Sequence, residues 1–302
     1  DAIGIVAKNN IAAVKKVLDL LALKGNEEFQ FRDHTYKAEE LFTSKINIQH
    51  LPERIIQHYA SLSGKEIPNI KMDLADLLRI YPADKKWNVQ QLVAILEPIA
   101  PRLYSVASSP ASHGENEVHI TVSRDHFSVD GQKRFGLCSD YLSQLKVNDT
   151  LQVYVQKNNA FRLPDAKTDV IMIGPGTGIA PFRSFLFERD AQSAAGRNWL
   201  FFGDQHFVTD FLYQTDLQGL RDTGVLTKLN LAFSRDQKEK VYVQHKMQQH
   251  ATELFEWIEA GAQIYICGAK EPMSVDVENT LLSIIAQQKN ISTESAQEYL
   301  NA

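Results

Sequence analysis

The stretch Asp169-Val170-Ile171-Met172-Ile173-Gly174-Pro175-Gly176-Thr177-Gly178-Ile179-Ala180-Pro181-Phe182-Arg183 decides how this chain folds. Four apolar residues, Val170 to Ile173, run into a glycine-rich turn, and a helix-compatible segment follows. A strand that passes through glycines into a helix start makes a cradle for phosphate. Glycine lets backbone approach a ligand closely, and the free N–H groups and positive dipole end of the helix face that point. Gly174, Gly176 and Gly178 are all expected to be free to adopt positive φ. Pro181 fits the first helical turn, where its missing N–H costs nothing. The spacing is G-x-G-x-G-x-x-P, not G-x-G-x-x-G, because Ile179 stands where a third glycine would fall. Taken alone, such a turn also serves plain tight packing.

From Asp169 onward strands and helices alternate. Val170–Ile173, Trp199–Phe202, Leu226–Phe233 and Gln263–Cys267 read as strands. Residues 181–190, 211–220, 243–259 and 273–288 read as helices. This alternation with short turns predicts a doubly wound parallel α/β sheet, in which ligands sit at the carboxyl ends of the strands. Those ends carry Gly174–Gly178, Gly203-Asp204, Ser234-Arg235 and Cys267-Gly268. Upstream, Ile11, Val14, Leu18 and Leu21 share a helical face that Asn9 or Asn10 can cap and Gly25 can end. Further helices are expected at residues 55–62, 72–80 and 89–96, so this first region reads as helical, with its apolar stripes serving core packing. Pro98 and Pro101 then stop the helices. Residues 103–107, 117–122 and 151–156 read as short strands of an antiparallel barrel. The fold class is therefore a multi-domain β and α/β chain: residues 1–164 carry a partial barrel with a helical insert over about residues 10–98, and residues 165–302 carry the doubly wound domain.

Composition narrows the function classes. A chain of 302 residues suggests about two domains. A net charge of -5 without any basic block argues against nucleic acid as partner. No apolar run approaches the roughly 20 residues that span a bilayer, and Asp1 to Lys8 do not read as a signal peptide. The two cysteines, Cys138 and Cys267, are no disulfide framework and form no metal motif, and the histidines are scattered. A reducing cytoplasm is the simpler expectation.

Three further segments carry candidate chemistry. Ser234-Arg235-Asp236-Gln237-Lys238-Glu239-Lys240-Val241-Tyr242-Val243-Gln244 puts a hydroxyl, a guanidinium, ammonium groups and a phenol after a predicted strand. Arg offers forked donors, Lys a point charge and Tyr242 a stacking face, a set suited to a phosphate monoester beside an adenine. That balance favours a 2′-phosphate over a free ribose hydroxyl, the bland alternative being a solvated charged loop. Arg102-Leu103-Tyr104-Ser105-Val106-Ala107-Ser108-Ser109 is an extended segment whose alternation places Arg102, Tyr104 and Val106 on one face. Arg102 can hold a pyrophosphate, Tyr104 can stack on a planar ring and Ser105 can bond a ring nitrogen, unless this is an ordinary edge strand. Gly136-Leu137-Cys138-Ser139-Asp140-Tyr141-Leu142 reads as a helix start able to meet a second phosphate. Cys267 ends a strand before Gly268 and reads, by itself, as a small buried hydrophobe.

Together these segments resemble the ferredoxin–NADP reductase-like flavoproteins, and within them the diflavin reductases. Arg102-Leu103-Tyr104-Ser105 is similar to the family's flavin-binding R-x-Y-S, and Gly136 to Ser139 to its FAD pyrophosphate turn. Gly174–Pro181 resembles its nicotinamide-side loop, Ser234-Arg235 with Lys240, Tyr242 and Gln244 its 2′-phosphate site, and Cys267-Gly268 its C-G element. The resemblance implies FAD and NADPH as cofactors, with Arg102, Tyr104, Ser105, Thr121 and Val122 around the flavin. It places Phe127 at a position where relatives often have a tyrosine near the adenine, and Gly136, Leu137, Cys138 and Ser139 at the pyrophosphate. Gly176, Thr177 and Gly178 fall beside NADPH. Ser105, near flavin N5, and Cys267, against the nicotinamide, are the implied catalytic residues. Residues 11 to about 96 correspond to the diflavin connecting insert. Electrons would leave FAD singly for FMN in a preceding flavodoxin-like domain, which this chain does not contain. From there they would reach a haem-containing partner, here a sirohaem/iron–sulfur hemoprotein subunit that reduces sulfite to sulfide, within an oligomer. The alternatives are a diflavin reductase with another acceptor and a cofactor-free docking fragment. The chain opens at what resembles the middle of the barrel, and the family's aromatic tail is not visible after Tyr299-Leu300-Asn301-Ala302.

Overall fold

The computed structural model describes residues 1–83, 88–129 and 132–301. In chain order the strands are β1 (Ala2–Ile5), β2 (Glu28–Phe31), β3 (His34–Lys37), β4 (Arg102–Ser105), β5 (His126–Val129), β6 (Gln132–Phe135), β7 (Val153–Gln156), β8 (Val170–Ile173), β9 (Asn198–Asp204), β10 (Lys228–Phe233) and β11 (Gln263–Ile266). Two compact units result. One comprises Asp1–Ile3, Tyr104–Thr121 and Gln156–Ala302, the other Gly4–Leu103 and Val122–Val155. A small sheet has the order β4-β1-β7.

The first unit contains the expected parallel sheet, in the order β10-β9-β8-β11. Strand β8 and the Trp199–Phe202 part of β9 are apolar without interruption because both faces are covered. Val170, Met172, Leu200 and Phe202 pack on one side with Phe182, Leu186, Leu217 and Leu220, from the helices Ala180–Ala191 and Gln214–Asp222. The alternate residues Ile171, Ile173, Trp199 and Phe201 pack on the other side, with Val243, Leu254 and Leu281. Those three come from the helices Val243–Gln249, Ala251–Glu259 and Val275–Lys289. Phe182, Trp199, Phe201 and Phe202 are fully buried, and each contributes roughly 1.5–3 kcal/mol by leaving water.

Three boundaries differ from the sequence reading. The single helix expected over residues 243–259 breaks at His250, whose ring meets Asn230 Nδ2 at 2.8 Å. The helix expected from Phe211 starts only at Gln214, because Tyr213 turns with φ +56°. Residues 117–122 form no strand: a single antiparallel bridge joins Val106 and Ile120.

The second unit holds the helical layer. Val14, Val17, Leu41, Phe42, Ile55, Tyr59, Leu77 and Leu92 share one core. They come from the helices Ile11–Leu20, Ala38–Ser44, Glu53–Ser63, Leu74–Ile80 and Val89–Ile95. Asn10 caps the first helix, its side chain accepting from the Ala12 and Ala13 amides. Asn9 instead is buried, and its amide donates to Phe42 O at 2.7 Å and Ile46 O at 2.6 Å. Gly25 does not end that helix, since Leu21 closes it and Ala22 already turns at φ +54°. The expectation of a wholly helical first region fails at β2 and β3, an antiparallel hairpin pairing Phe29 with Tyr36. In the same unit β5 pairs antiparallel with β6. Arg134 of β6 reaches Asp73 at 3.6 Å and Asp76 at 3.2 Å, which ties the hairpin to the helix at Leu74–Ile80.

Candidate functional site

At the carboxyl ends of the parallel strands the first unit opens a cleft of about 450 Å³. The strand order reverses between β8 and β11, the position at which such sheets hold nucleotides. Pro175 and Gly176 come from the turn after β8, Asp204 and Gln205 from the end of β9, and Ser234 and Arg235 from the end of β10. Lys240, Tyr242 and Gln244 form a further wall, and Met273 and Asp276 complete it beyond β11.

The glycines of the turn serve separate purposes, which corrects the expectation that all three take positive φ. Only Gly176 does, at +56°. Gly178 is required by close approach, since a Cβ there would lie 2.1 Å from the Cys267 carbonyl oxygen. A residue with any side chain would push the phosphate turn away from the end of β11. After a 3-10 turn at Gly176–Ile179, the helix Ala180–Ala191 starts with Pro181 in its first turn.

Backbone bonds fasten the ends of β9 and β10 together. The Ser234 amide donates to Asp204 O at 2.9 Å and the Arg235 amide to Gln205 O at 2.9 Å. Asp236 then locks the loop, accepting from the Phe207 amide at 2.7 Å and meeting His206 Nδ1 at 2.9 Å. These bonds hold the Asp236 carboxyl below the usual carboxylate range, the Phe207 amide contributing most. Among the described residues neither Arg235 nor Lys240 pairs with a carboxylate. Both are exposed side chains that line the cleft. Tyr242 is 42% exposed, with the His245 ring centre 5.8 Å from its own.

Five other expected residues lie in the same unit. Ser105 ends β4, and its hydroxyl hydrogen-bonds the Cys267 sulfur. Burial nevertheless pushes the Cys267 thiol up, against that bond, so the sulfur is protonated at neutral pH. Tyr104 is half-buried beside Ser105 in β4. Thr121 Oγ1 meets Tyr213 OH at 2.7 Å. Thr177 lies within the phosphate turn.

Arg183 belongs with them, although no role was read for it from the sequence. It is buried at 7% exposure, and Nη1 donates to Ala107 O at 2.7 Å. Its Nε donates to Asp216 at 2.6 Å, and Nη1 meets His119 Nδ1 at 3.0 Å. Ser184 Oγ donates to Ser108 O at 2.7 Å. The helix that begins at the phosphate turn therefore also grips the segment just after Ser105. The sequence signal was a charged residue inside an otherwise apolar first turn, Ala180-Pro181-Phe182-Arg183.

The second unit holds the remaining residues. Arg102 is exposed on β4 and Val122 is half-buried. Gly136 precedes the helix Leu137–Ser143, which begins with Leu137, Cys138 and Ser139 and has no side-chain cap. Its first-turn amides thus suit an outside acceptor. Asp140 is held by Arg124, and the Arg124 guanidinium lies 3.7 Å from the centre of the Phe135 ring. Phe127 pairs in β5 with Arg134, but the expectation for its ring falls outside the described residues.

Family comparison agrees with this geometry. The family model for the FAD binding domain matches residues 65–141, and that for the oxidoreductase NAD-binding domain matches residues 172–279. Over all of its length it is 42% identical to the sulfite reductase [NADPH] flavoprotein alpha-component of Serratia proteamaculans (strain 568), covering 52% of that protein. The alpha-components of Yersinia enterocolitica serotype O:8 / biotype 1B and Yersinia pestis bv. Antiqua are equally similar, at 42% identity and 52% coverage. The chain spans about half the length of the curated relatives it matches. No helix among the described residues is long and apolar enough to cross a membrane.

Proposed function

We propose that this chain is the NADPH-oxidising FAD module of a sulfite reductase flavoprotein. The observation that carries the reading is the cleft in which the phosphate turn at Gly176 is joined by the cations Arg235 and Lys240 and by Tyr242. In this reading the backbone around Gly176, Thr177 and Gly178 binds the pyrophosphate. Ser234, Arg235 and Lys240 bind the 2′-phosphate, Tyr242 stacks on the adenine, and Gln244 hydrogen-bonds the same end of the cofactor. Cys267 lies against the nicotinamide, with Ser105 holding the sulfur in place and meeting flavin N5. Tyr104 and Thr121 of one unit, and Arg102 and Val122 of the other, are the residues assigned to the flavin and its phosphate. The uncapped helix start at Gly136, Leu137, Cys138 and Ser139 meets the FAD pyrophosphate. FAD, when bound, supplies the hydride acceptor. The protein's own contribution is alignment and electrostatics rather than proton transfer.

The domain assignment that follows is an FAD-binding part over residues 1–164, organised as a partial barrel with the helical insert, and an NADP-binding part over residues 165–302. The 42% identity to proteins named sulfite reductase [NADPH] flavoprotein alpha-component supports sulfite reduction as the destination of the electrons; the same reading takes FMN as the next carrier, a sirohaem/iron–sulfur hemoprotein subunit as the acceptor, an oligomeric assembly and a cytoplasmic location. Arg235→Ala tests the cofactor assignment. Loss of a hydrogen-bonded charge contact costs about 1.5–3 kcal/mol, so NADPH should weaken at least tenfold while NADH is little changed. Equal losses for the two cofactors would contradict the role.

A further inference from the structure

The cleft also contains a carboxylate that the proposed reading leaves unused. Asp204 is the last residue of β9, the second strand in chain order of the parallel sheet. In nucleotide folds of this type an acid at that strand end accepts from the ribose 2′-hydroxyl of an unphosphorylated dinucleotide. The Gln205 amide donates to Asp204 Oδ1 at 2.7 Å, which fixes the carboxyl group. Oδ2 is turned towards the phosphate turn, 3.9 Å from where a Cβ on Gly176 would sit. The backbone oxygen of Asp204 is the acceptor for Ser234, at 2.9 Å from its amide and 3.3 Å from its hydroxyl. Asp204 therefore stands between the turn that suits a pyrophosphate and the residues that suit a 2′-phosphate. That is where a ribose belongs. Burial chiefly pushes its carboxyl above the usual range, against the Gln205 amide bond that favours the anion.

We infer that Asp204 is a further specificity-determining residue of the cleft: its carboxylate accepts from the free ribose hydroxyl of NADH and opposes the 2′-phosphate of NADPH. It thereby narrows a preference that Ser234, Arg235 and Lys240 create. The inference rests on the reading of the cleft as a dinucleotide site, so the test separates the two. The affinities of 2′,5′-ADP and 5′-AMP are measured calorimetrically for the unaltered chain, Asp204→Asn, Asp204→Ser and Arg235→Ala, with circular dichroism as the check of folding. These ligands differ at the 2′ position and need no bound flavin. Both Asp204 variants should raise the preference for 2′,5′-ADP about tenfold, equivalent to ~1.4 kcal/mol, while Arg235→Ala should lower it by a comparable factor. If Arg235→Ala lowers the preference and the folded Asp204 variants leave it unchanged, the role of Asp204 is overturned and the cleft assignment stands. If Arg235→Ala also leaves it unchanged, the 2′-phosphate site itself is overturned.

Discussion

Replacing Arg183 by methionine should remove a joint that the first unit depends on. Methionine keeps an unbranched stem of similar length but no donors. The change deletes the bonds to Asp216 at 2.6 Å, Ala107 O at 2.7 Å and His119 Nδ1 at 3.0 Å. It also deletes the guanidinium packed 4.6 Å from the Tyr213 ring centre and 4.9 Å from that of Phe187. Breaking a buried ion pair by removing one partner costs about 3–5 kcal/mol. The Asp216 side chain retains 32% exposure and can recover water, so the pair itself belongs at or below the low end of that range. The Ala107 carbonyl, in a residue with no exposure, is left without its partner and adds about 1–3 kcal/mol. A total near 3 kcal/mol is a large share of the 5–15 kcal/mol that holds a typical domain. With a urea m-value of about 2 kcal/mol/M, the unfolding midpoint should fall by about 1.5 M. Trp199 and Trp257, both buried in this unit, give the fluorescence signal. A midpoint within about 0.5 M of the unaltered chain, roughly 1 kcal/mol, would refute the reasoning, because it would mean that the helix and the segment after Ser105 hold together without this residue.

Further expectations concern single contacts. Gly178→Ala must displace the turn from the Cys267 carbonyl, 2.1 Å from the added carbon. Overpacking of this kind costs about 1–3 kcal/mol, so an unchanged melting temperature would contradict the close-approach argument. Ser105→Ala removes the bond that lowers the Cys267 thiol against burial. The pH midpoint for alkylation of Cys267 by iodoacetamide should therefore move up, and a downward move would contradict it. Tyr59 donates its hydroxyl to Tyr81 O at 2.8 Å, and burial raises its pKa to about 12. Because the unfolded value is about 10, the stabilisation it provides is complete below pH 10 and lost as the pH rises towards 12. Tyr59→Phe should cost about 1 kcal/mol at pH 7 and lose part of that disadvantage by pH 11, as compared by urea midpoints. A constant difference would contradict the assignment.

The parallel sheet was legible because its cause is local. Val170–Ile173 and Trp199–Phe202 are buried on both faces, and an unbroken apolar run ending at glycines records that directly. That Ser234, Arg235, Lys240 and Tyr242 would gather at one strand end was legible because they follow a single strand closely in sequence, and all four line the cleft. The hairpin of β2 and β3 was not, since strands of four residues give too short a period beside the strong helical stripes around them. The strand expected at residues 117–122 shows the opposite failure: β-branched residues suggested a ladder, but only the Val106–Ile120 bridge forms. Arg183 escaped, and Asp204 was placed at a strand end without a role, because what each could do depends on what folding sets beside it. For Arg183 that is the Ala107 carbonyl, and for Asp204 it is the phosphate turn. For Gly178 the sequence offered positive φ and close approach to a ligand, whereas the structure shows no positive φ and a close approach to the Cys267 carbonyl, far along the chain.

The central claim is that this chain takes hydride from NADPH onto FAD. The most direct test is the visible spectrum of the protein supplied with FAD, recorded without oxygen before and after NADPH is added. The account predicts a protein-bound flavin band that NADPH bleaches, and bleaches faster than NADH does. A protein that remains colourless after incubation with FAD, or a flavin band that NADPH leaves intact, would contradict it.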